Sequence, residues 1–445
     1  MRNLARRHFL GALAAPLIRA QARPPNIVLI LADDLGYADL GCYGQKQIAT
    51  PHLDRLAAEG IRFTQAYAGG AVCAPSRSCL FTGLHNGHTR IRANSARRIA
   101  LRPEDTTIAE VLRTAGYRTG LIGKWSLGGL GSTGYPTAKG FDEWFGFFSQ
   151  THAHNYYPEH LLENDHEVLL RGNTGKQKTE YAQDLFTARA LDFIAKERAR
   201  PFFLHLAYTI PHANNELGRD TGNGMEVPSD EPYAGRDWPQ PEKNFAAMIT
   251  RLDRDVGKVL AALDSNTVVF FTSDNGPHDA GGHDANFFDS NGPLRGIKGE
   301  LYEGGIRVPA IVRWPGKVRA GESSDHPWAF WDFLPTLAEL AGVEPPRGLD
   351  GVSIAPLLTG GVPRERRYLY WEHHAGRRFI QAVRMGDWKA LRFGLRAPLE
   401  LYHLAQDPAE ETNVAAQHPA VIGAIEGLLA TARTGSSDYP VAIEN

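Results

Sequence analysis

Cysteine is scarce. Cys42, Cys73 and Cys79 are the only three in 445 residues, too few for a disulfide scaffold, and Cys42 and Cys79 read as packed thiols. An excess of one charge is missing too. Forty-eight Lys and Arg face 50 Asp and Glu, for a formal net charge of −2, so no basic surface points to nucleic acid as a partner. There is no internal repeat and no low-complexity segment, and no apolar run reaches the length of a membrane span, so stable membrane insertion is not expected. What is present is ordinary globular composition, 42% hydrophobic and 22% charged, at a length that allows one large domain and a smaller one.

The N-terminus reads as an export signal over residues 1–22. Arg2, Arg6 and Arg7 precede an apolar run from Phe9 to Ile18, and Ala20-Gln21-Ala22 has the small-residue pattern of a cleavage site. Arg6-Arg7-His8-Phe9-Leu10 resembles a twin-arginine signal, so the expected destination is the periplasm or beyond.

After it, continuous apolar runs alternate with amphipathic stretches. Asn26–Leu31, Tyr117–Ile122, Phe202–Tyr208, Thr267–Thr272 and Val308–Val312 read as strands buried on both faces. Helices are expected after Thr50-Pro51, from Cys73, and over 107–115, 181–199, 242–263 and 330–341. Residues 217–241, rich in Gly, Pro and acids, read as a surface loop. From about Arg364 the pattern changes to short strands and a final helix near 419–431. The expected fold class is α/β: a large doubly wound mixed or parallel sheet flanked by helices, plus a small C-terminal antiparallel sheet with one helix. The expected domains are a catalytic one over 23–362 and a C-terminal α+β subdomain over 363–445.

The strand ends carry the chemistry. Asn26–Leu31 runs into Asp33-Asp34, Tyr117–Ile122 into Gly123-Lys124-Trp125, Phe202–Tyr208 into Pro211-His212, and Thr267–Thr272 into Asp274-Asn275. In doubly wound sheets ligands bind at the C-terminal strand ends. Three carboxylates gathered there need a cation. Asp33, Asp34, Asp274 and Asn275 form a hard, all-oxygen set that suits Ca²⁺ best, with Mg²⁺ as the alternative. Cys73-Ala74-Pro75-Ser76-Arg77 places a nucleophile at a helix start, where free N–H groups and the macrodipole favour an anion, and Arg77 adds a positive fork.

The string C-x-P-S-R-x-x-L-x-T-G from Cys73 to Gly83 resembles the signature of the type I sulfatases of the alkaline phosphatase superfamily, and Gly123-Lys124-Trp125-x-Leu127-Gly128 resembles a second motif of that family. The resemblance covers nearly everything from Asn26 onward. It implies a sulfuric ester hydrolase in which Cys73 is oxidised to formylglycine by a formylglycine-generating enzyme or its equivalent. It further implies calcium held by Asp33, Asp34, Asp274 and Asn275 beside residue 73, Arg77 stabilising the formylglycine hydrate, Lys124 and Lys298 binding sulfate, and His212 near the leaving-group oxygen. The family usually has His two residues after the lysine; this chain has Ser126, so His152 or His154, or else a metal-bound carboxylate, is expected to take over that base, with one of the two histidines preferred. The segments around His212 and His154 resemble carbohydrate-processing bacterial sulfatases. Candidate sugar contacts are His85, Asn86, Arg92, Asn94, His152, His154, Glu216, His278, His283, Trp371 and His373. Two other readings fit the same residues: a phosphodiesterase or phosphonate monoester hydrolase of the superfamily, and a non-catalytic sulfated-glycan binding protein, for which Ser126 is the main support.

Overall fold

The computed structural model describes residues 23–441 apart from 95–98, 148, 197–198 and 377. The expected export signal, residues 1–22, lies outside them. Among the described residues no helix is long and apolar enough to cross a membrane.

The strands in chain order are β1 (Asn26–Asp33), β2 (Ile61–Tyr67), β3 (Arg118–Gly123), β4 (Glu143–Gly146), β5 (His160–Glu163), β6 (His166–Leu169), β7 (Phe202–Pro211), β8 (Thr267–Ser273), β9 (Arg307–Arg313), β10 (Glu322–Ser324) and β11 (Trp328–Ala329). They form one mixed sheet in the order β10-β2-β9-β8-β1-β7-β3-β4-β5-β6, with β11 also on β2. Strands β8, β1, β7, β3 and β4 are mutually parallel, so their C-terminal ends share one rim.

The apolar run of β1 follows from its central place. Val28, Ile30 and Ala32 face one core layer, and Ile27, Leu29 and Leu31 face the other. Helices Pro51–Ala58, Ala182–Ala195 and Gln240–Ala262 cover the first face. Helices Cys73–Thr82, Ile108–Thr114 and Phe333–Leu340 cover the second. The Ile108–Thr114 helix starts on a capping box in which Thr107 and Glu110 satisfy each other's backbone N–H.

Two expectations change. The 217–241 loop is not irregular throughout: a short helix, Asn215–Thr221, enters it, capped by Asn214 accepting from Leu217 N at 3.0 Å and stopped by left-handed Gly222. The helix expected to reach 199 ends at Ala195, where Lys196 turns extended.

The C-terminal part forms a separate antiparallel sheet, β12 (Leu369–Ala375), β13 (Arg378–Met385), β14 (Trp388–Phe393) and β15 (Glu400–His403). Its two-residue alternation divides its faces. Tyr370, Val383, Ala390 and Leu401 pack on the Pro419–Leu429 helix. Leu369, Trp371, Ala382 and Leu391 pack on Tyr67, Ala71, Cys79 and Trp331 of the large sheet's layer. Charge is buried in this seam. Lys389 Nζ lies 3.0 Å from Glu303 and 2.9 Å from Glu410, and Tyr67 donates to Glu303 at 2.7 Å. Burial and the neighbouring Glu303 push the Glu410 carboxyl up to about 7, even with Lys389 beside it.

Removing the shared cation would leave two carboxylates facing each other without water. Lys389→Met is expected to destabilise the fold by about 3–5 kcal/mol in denaturant unfolding, and adding Glu410→Gln should recover part of that loss. Equal stability of Lys389→Met and the parent chain would show that the seam does not depend on the ion pair.

Candidate active site

Four neighbouring parallel strands deliver the expected side chains to one place. β8 ends in Asp274-Asn275, β1 in Asp33-Asp34, β7 in Pro211-His212 and β3 in Gly123-Lys124. The last turn requires glycine. Gly123 has φ +107°, and a Cβ there would meet the Ala207 carbonyl oxygen at 1.9 Å, so only glycine lets β3 close on β7 and direct Lys124 inward. Asp34 also sits in the left-handed region, at φ +67°, an uncommon conformation that Asp tolerates better than most residues.

The Cys73–Thr82 helix brings in Cys73. All ten residues are buried, and left-handed Gly83 ends it. Cys73 is fully buried, 3.4 Å from Lys124 Nζ. One ligand atom each from Asp33, Asp34, Cys73 and His212 lie within 4.8 Å of one another. The expectation of free N–H groups at this helix start needs correcting in one respect. The Ala74 N–H is taken by Asn94 Oδ1 at 3.0 Å.

The charges interlock. Lys124 Nζ donates to Asp33 at 2.6 Å and Lys298 Nζ to Asp34 at 2.7 Å. Arg77 places Nε and Nη2 on Asp274 at 3.0 and 2.8 Å and Nη1 on the Lys124 carbonyl at 2.8 Å. Asn275 Nδ2 donates to Asp34 at 2.7 Å, and Asp274 accepts the Asp34 N–H at 3.2 Å. Burial works against all three carboxylates. For Asp33 the positive charge of Lys124, His212 and Arg77 outweighs it and holds the group well below the usual range. For Asp34, Lys298 and His212 bring it to about 2. For Asp274, burial and the two other carboxylates prevail and push it up to about 7 despite Arg77. Burial likewise raises the Cys73 thiol to about 11.

This donor set fits a hard cation. Asp33 Oδ1 and Asn275 Oδ1 are buried acceptors without a hydrogen-bond partner, which is rare for buried oxygens. They belong to the all-oxygen group of Asp33, Asp34, Asp274 and Asn275.

His212 donates Nδ1–H to the Ala213 carbonyl at 2.7 Å, leaving Nε2 3.6 Å from Asp34. Burial, then Lys298, keeps this imidazole well below its usual range. The His154 ring stacks on it at 4.9 Å, with Nδ1 2.9 Å from Glu216. The His152 ring packs edge-on to Phe147 and stacks on His160. Ser126, at φ +72°, donates to Gln150. His278 is buried behind His212 with its Nε2 on the Pro211 carbonyl at 3.1 Å.

Most other candidates lie in the seam with the small sheet, and His283 lies against the Gln240–Ala262 helix. His85 is buried against His88 and Tyr370. Arg92 spends its guanidinium on Glu372, Thr89 and Thr434. Trp371 donates to the Ala68 carbonyl at 2.9 Å, and His373 is buried on β12. His283 pairs with Glu242 at 2.6 Å under Phe245. Two supports had not been singled out. Tyr156 donates to the carbonyls of Thr209 and His212, and Ser273 Oγ links the Leu35 N–H to the Asn275 carbonyl. Both follow the strand-end motifs closely in sequence or space, but nothing in their residue type marks them.

A mixed sheet of alkaline phosphatase-like order, with acidic strand ends and a cysteine-headed helix, defines a class of anionic-ester hydrolases. Within it, the chain belongs to the sulfatase family, whose profile matches residues 25–343; residues 297–430 match the family described as N-sulphoglucosamine sulphohydrolase, C-terminal. It is 35% identical to human arylsulfatase A over 95% of this chain and 90% of that protein. It is 34% identical to the N-acetylgalactosamine-6-sulfatase of Canis lupus familiaris over 86% of this chain and 73% of that protein. A solved structure of Ps i-CgsB in complex with k-i-k-neocarrahexaose superposes with TM-score 0.80 at 30% identity, covering 93% of this chain and 94% of the other. The chain is a sulfatase.

Arg77 makes three directed hydrogen bonds that an ammonium cannot reproduce. Arg77→Lys is expected to lower sulfate-ester turnover at least ~100-fold while the chain remains folded by circular dichroism. Turnover within a few-fold of the parent would show that only the charge is needed.

Proposed function

We propose that this sulfatase acts on carbohydrate sulfate esters, using formylglycine derived from Cys73 and a Ca²⁺ ion, with Mg²⁺ as the alternative, bound by Asp33, Asp34, Asp274 and Asn275. The observation that carries the reading is Cys73 Sγ in one cluster with Asp33, Asp34 and His212, 3.4 Å from Lys124 Nζ. The thiol occupies the place that formylglycine oxygens would take. Hydrated formylglycine supplies two hydroxyls on one carbon, one to attack sulfur and one to drive sulfate release, and a bound divalent cation lowers the pKa of a hydroxyl beside it.

The chain's own residues account for the rest. Lys124 and Arg77, both buried, and the partly exposed Lys298 supply fixed positive charge for the sulfate oxygens. The Nδ1–H of His212 is committed to Ala213 and burial keeps the ring neutral, so Nε2 hands a proton to the departing alcohol oxygen only as the imidazolium, which an anionic sulfate bound beside it would favour. Ser126 is a poor base. His154 is the neighbouring imidazole with a carboxylate on Nδ1, which leaves the Nε2 lone pair to accept the proton lost at position 73. Glu216 and His154, both partly exposed, are the groups we assign to contact with the sugar.

Support for a carbohydrate comes from the relatives, one a sulfatase of N-acetylgalactosamine 6-sulfate by name and one solved with a neocarrahexaose. Because Cys73 is fully buried, a formylglycine-generating enzyme or its equivalent must act before folding closes the site. Arg6-Arg7 and the apolar run to Ile18 support twin-arginine export of the folded protein to the periplasm. We place the catalytic domain at 23–362 and the C-terminal subdomain at 363–445.

A panel of regiospecific sulfated monosaccharides tests the reading. The parent chain should release sulfate from at least one, and Cys73→Ala should lose at least ~1,000-fold. Chelation should abolish turnover, with recovery on adding Ca²⁺. Activity that survives in Cys73→Ala would overturn it. His154→Ala should lower kcat ~100-fold or more and His152→Ala should stay within about twofold; near-full turnover in His154→Ala would remove it from the mechanism.

A further inference from the structure

The helix that carries position 73 begins without a cap of its own. Its N-cap residue is Val72, which has no side-chain acceptor. The first intrahelical bond is Ser76 N to the Val72 carbonyl at 3.2 Å. Of the three preceding positions Pro75 has no N–H, so Cys73 and Ala74 carry the orphan donors of the first turn. Asn94 Oδ1 takes the Ala74 N–H at 3.0 Å. A cap supplied from twenty residues away is only as firm as the loop that presents it.

That loop, residues 85–94, is held by the C-terminal end of the chain. Thr434 N donates to the Gly87 carbonyl at 3.1 Å. Arg92 donates to the Thr434 carbonyl at 2.9 Å and to its Oγ1 at 3.0 Å. Arg90 pairs with Asp438 at 3.1 Å, and buried Tyr439 donates to the Ala93 carbonyl at 3.4 Å, immediately before Asn94. From the other side Glu372 of β12 binds Arg92 at 3.2 Å and Arg433 at 2.9 Å. Burial alone would raise the Glu372 carboxyl, yet His374, Arg433 and Arg92 hold it at about 2, so it stays ionised as the anchor of both arginines.

We propose that Asn94 is a positioning residue for the reaction at position 73, and that residues 432–439 form a strap that fixes Asn94 in place. Arg92 and Asn94 thus serve the site through the helix rather than by touching sugar. The inference rests on the sulfatase reading for its kinetic consequence only. Its structural content, the hold on the Ala74 N–H, is independent of substrate.

The test has two readouts on the full chain. The first is hydrogen exchange of the peptide spanning 73–82, measured in the Cys73→Ala background so that no modification is involved. Asn94→Ala should speed exchange of the first-turn amide about 5- to 10-fold. Asn94→Asp, which keeps an acceptor oxygen, should not. Deleting residues 436–445, which removes Asp438 and Tyr439 but keeps Thr434, should reproduce the Asn94→Ala effect and add little to it when the two are combined. The second readout is kinetics with Cys73 intact, on a sulfate ester the parent turns over. Asn94→Ala should lower kcat about 5- to 10-fold with KM within about twofold, and Asn94→Asp should restore it. Unchanged exchange in Asn94→Ala, or a change in KM alone, would overturn the proposal. If no sulfate ester is turned over by the parent, the sulfatase reading fails while the exchange result still decides the strap.

Discussion

The structure turns on three carboxylates that have been taken out of water together. Asp33, Asp34 and Asp274 are all buried at the ends of β1 and β8. Bringing like charges this close costs free energy that hydrophobic burial elsewhere must offset, unless cations compensate locally. Here Lys124, Lys298 and Arg77 do so, each through short directed contacts. The match is incomplete: Asp274 is still pushed up to about 7, and Asp33 Oδ1 and Asn275 Oδ1 lack partners. A divalent cation on these oxygens would resolve both defects and free the lysine ammoniums for an anionic substrate.

The same constraint explains why so much of the site was readable from sequence. A parallel strand buried on both faces needs an unbroken apolar run, so a polar pair that ends the run stands out. Asp33-Asp34, Lys124, His212 and Asp274-Asn275 were legible for this reason, and the right-handed connections of such sheets put their ends on one rim. What runs of this kind cannot convey is neighbourhood. The order β8-β1-β7-β3 that makes these residues adjacent depends on long-range pairing, which has no local signal.

Elements toward the two ends of the sheet were less legible. Strand β2 alternates buried Ile61 and Phe63 with half-buried Arg62 and Thr64, and the short β4–β6 strands offer four residues each. Patterns this brief are indistinguishable from loop. The side chains picked out as sugar contacts show a different limit. Arg92 and Trp371 have the residue types of a binding surface, but they are buried and hydrogen-bonded where the two sheets meet. Polar and aromatic groups that seal an internal interface and those that grip a ligand use the same chemistry. Only the fold decides which surface they face.

That seam gives the small sheet a part in the chemistry. One face of β12–β14 packs against Tyr67, Ala71 and Cys79, around the segment that leads into and through the Cys73 helix. Its Glu372 and the strap beyond the last helix hold the loop that ends in Asn94. The large sheet fixes where the strand-end charges lie, but the Cys73 helix enters from outside that sheet, after β2. Its start is therefore positioned by contacts other than parallel strand pairing. A site whose groups must agree to within a fraction of an ångström needs that last degree of freedom removed, and Asn94, on a loop tied to the C-terminal end of the chain, supplies a hold on the helix start from outside the large sheet.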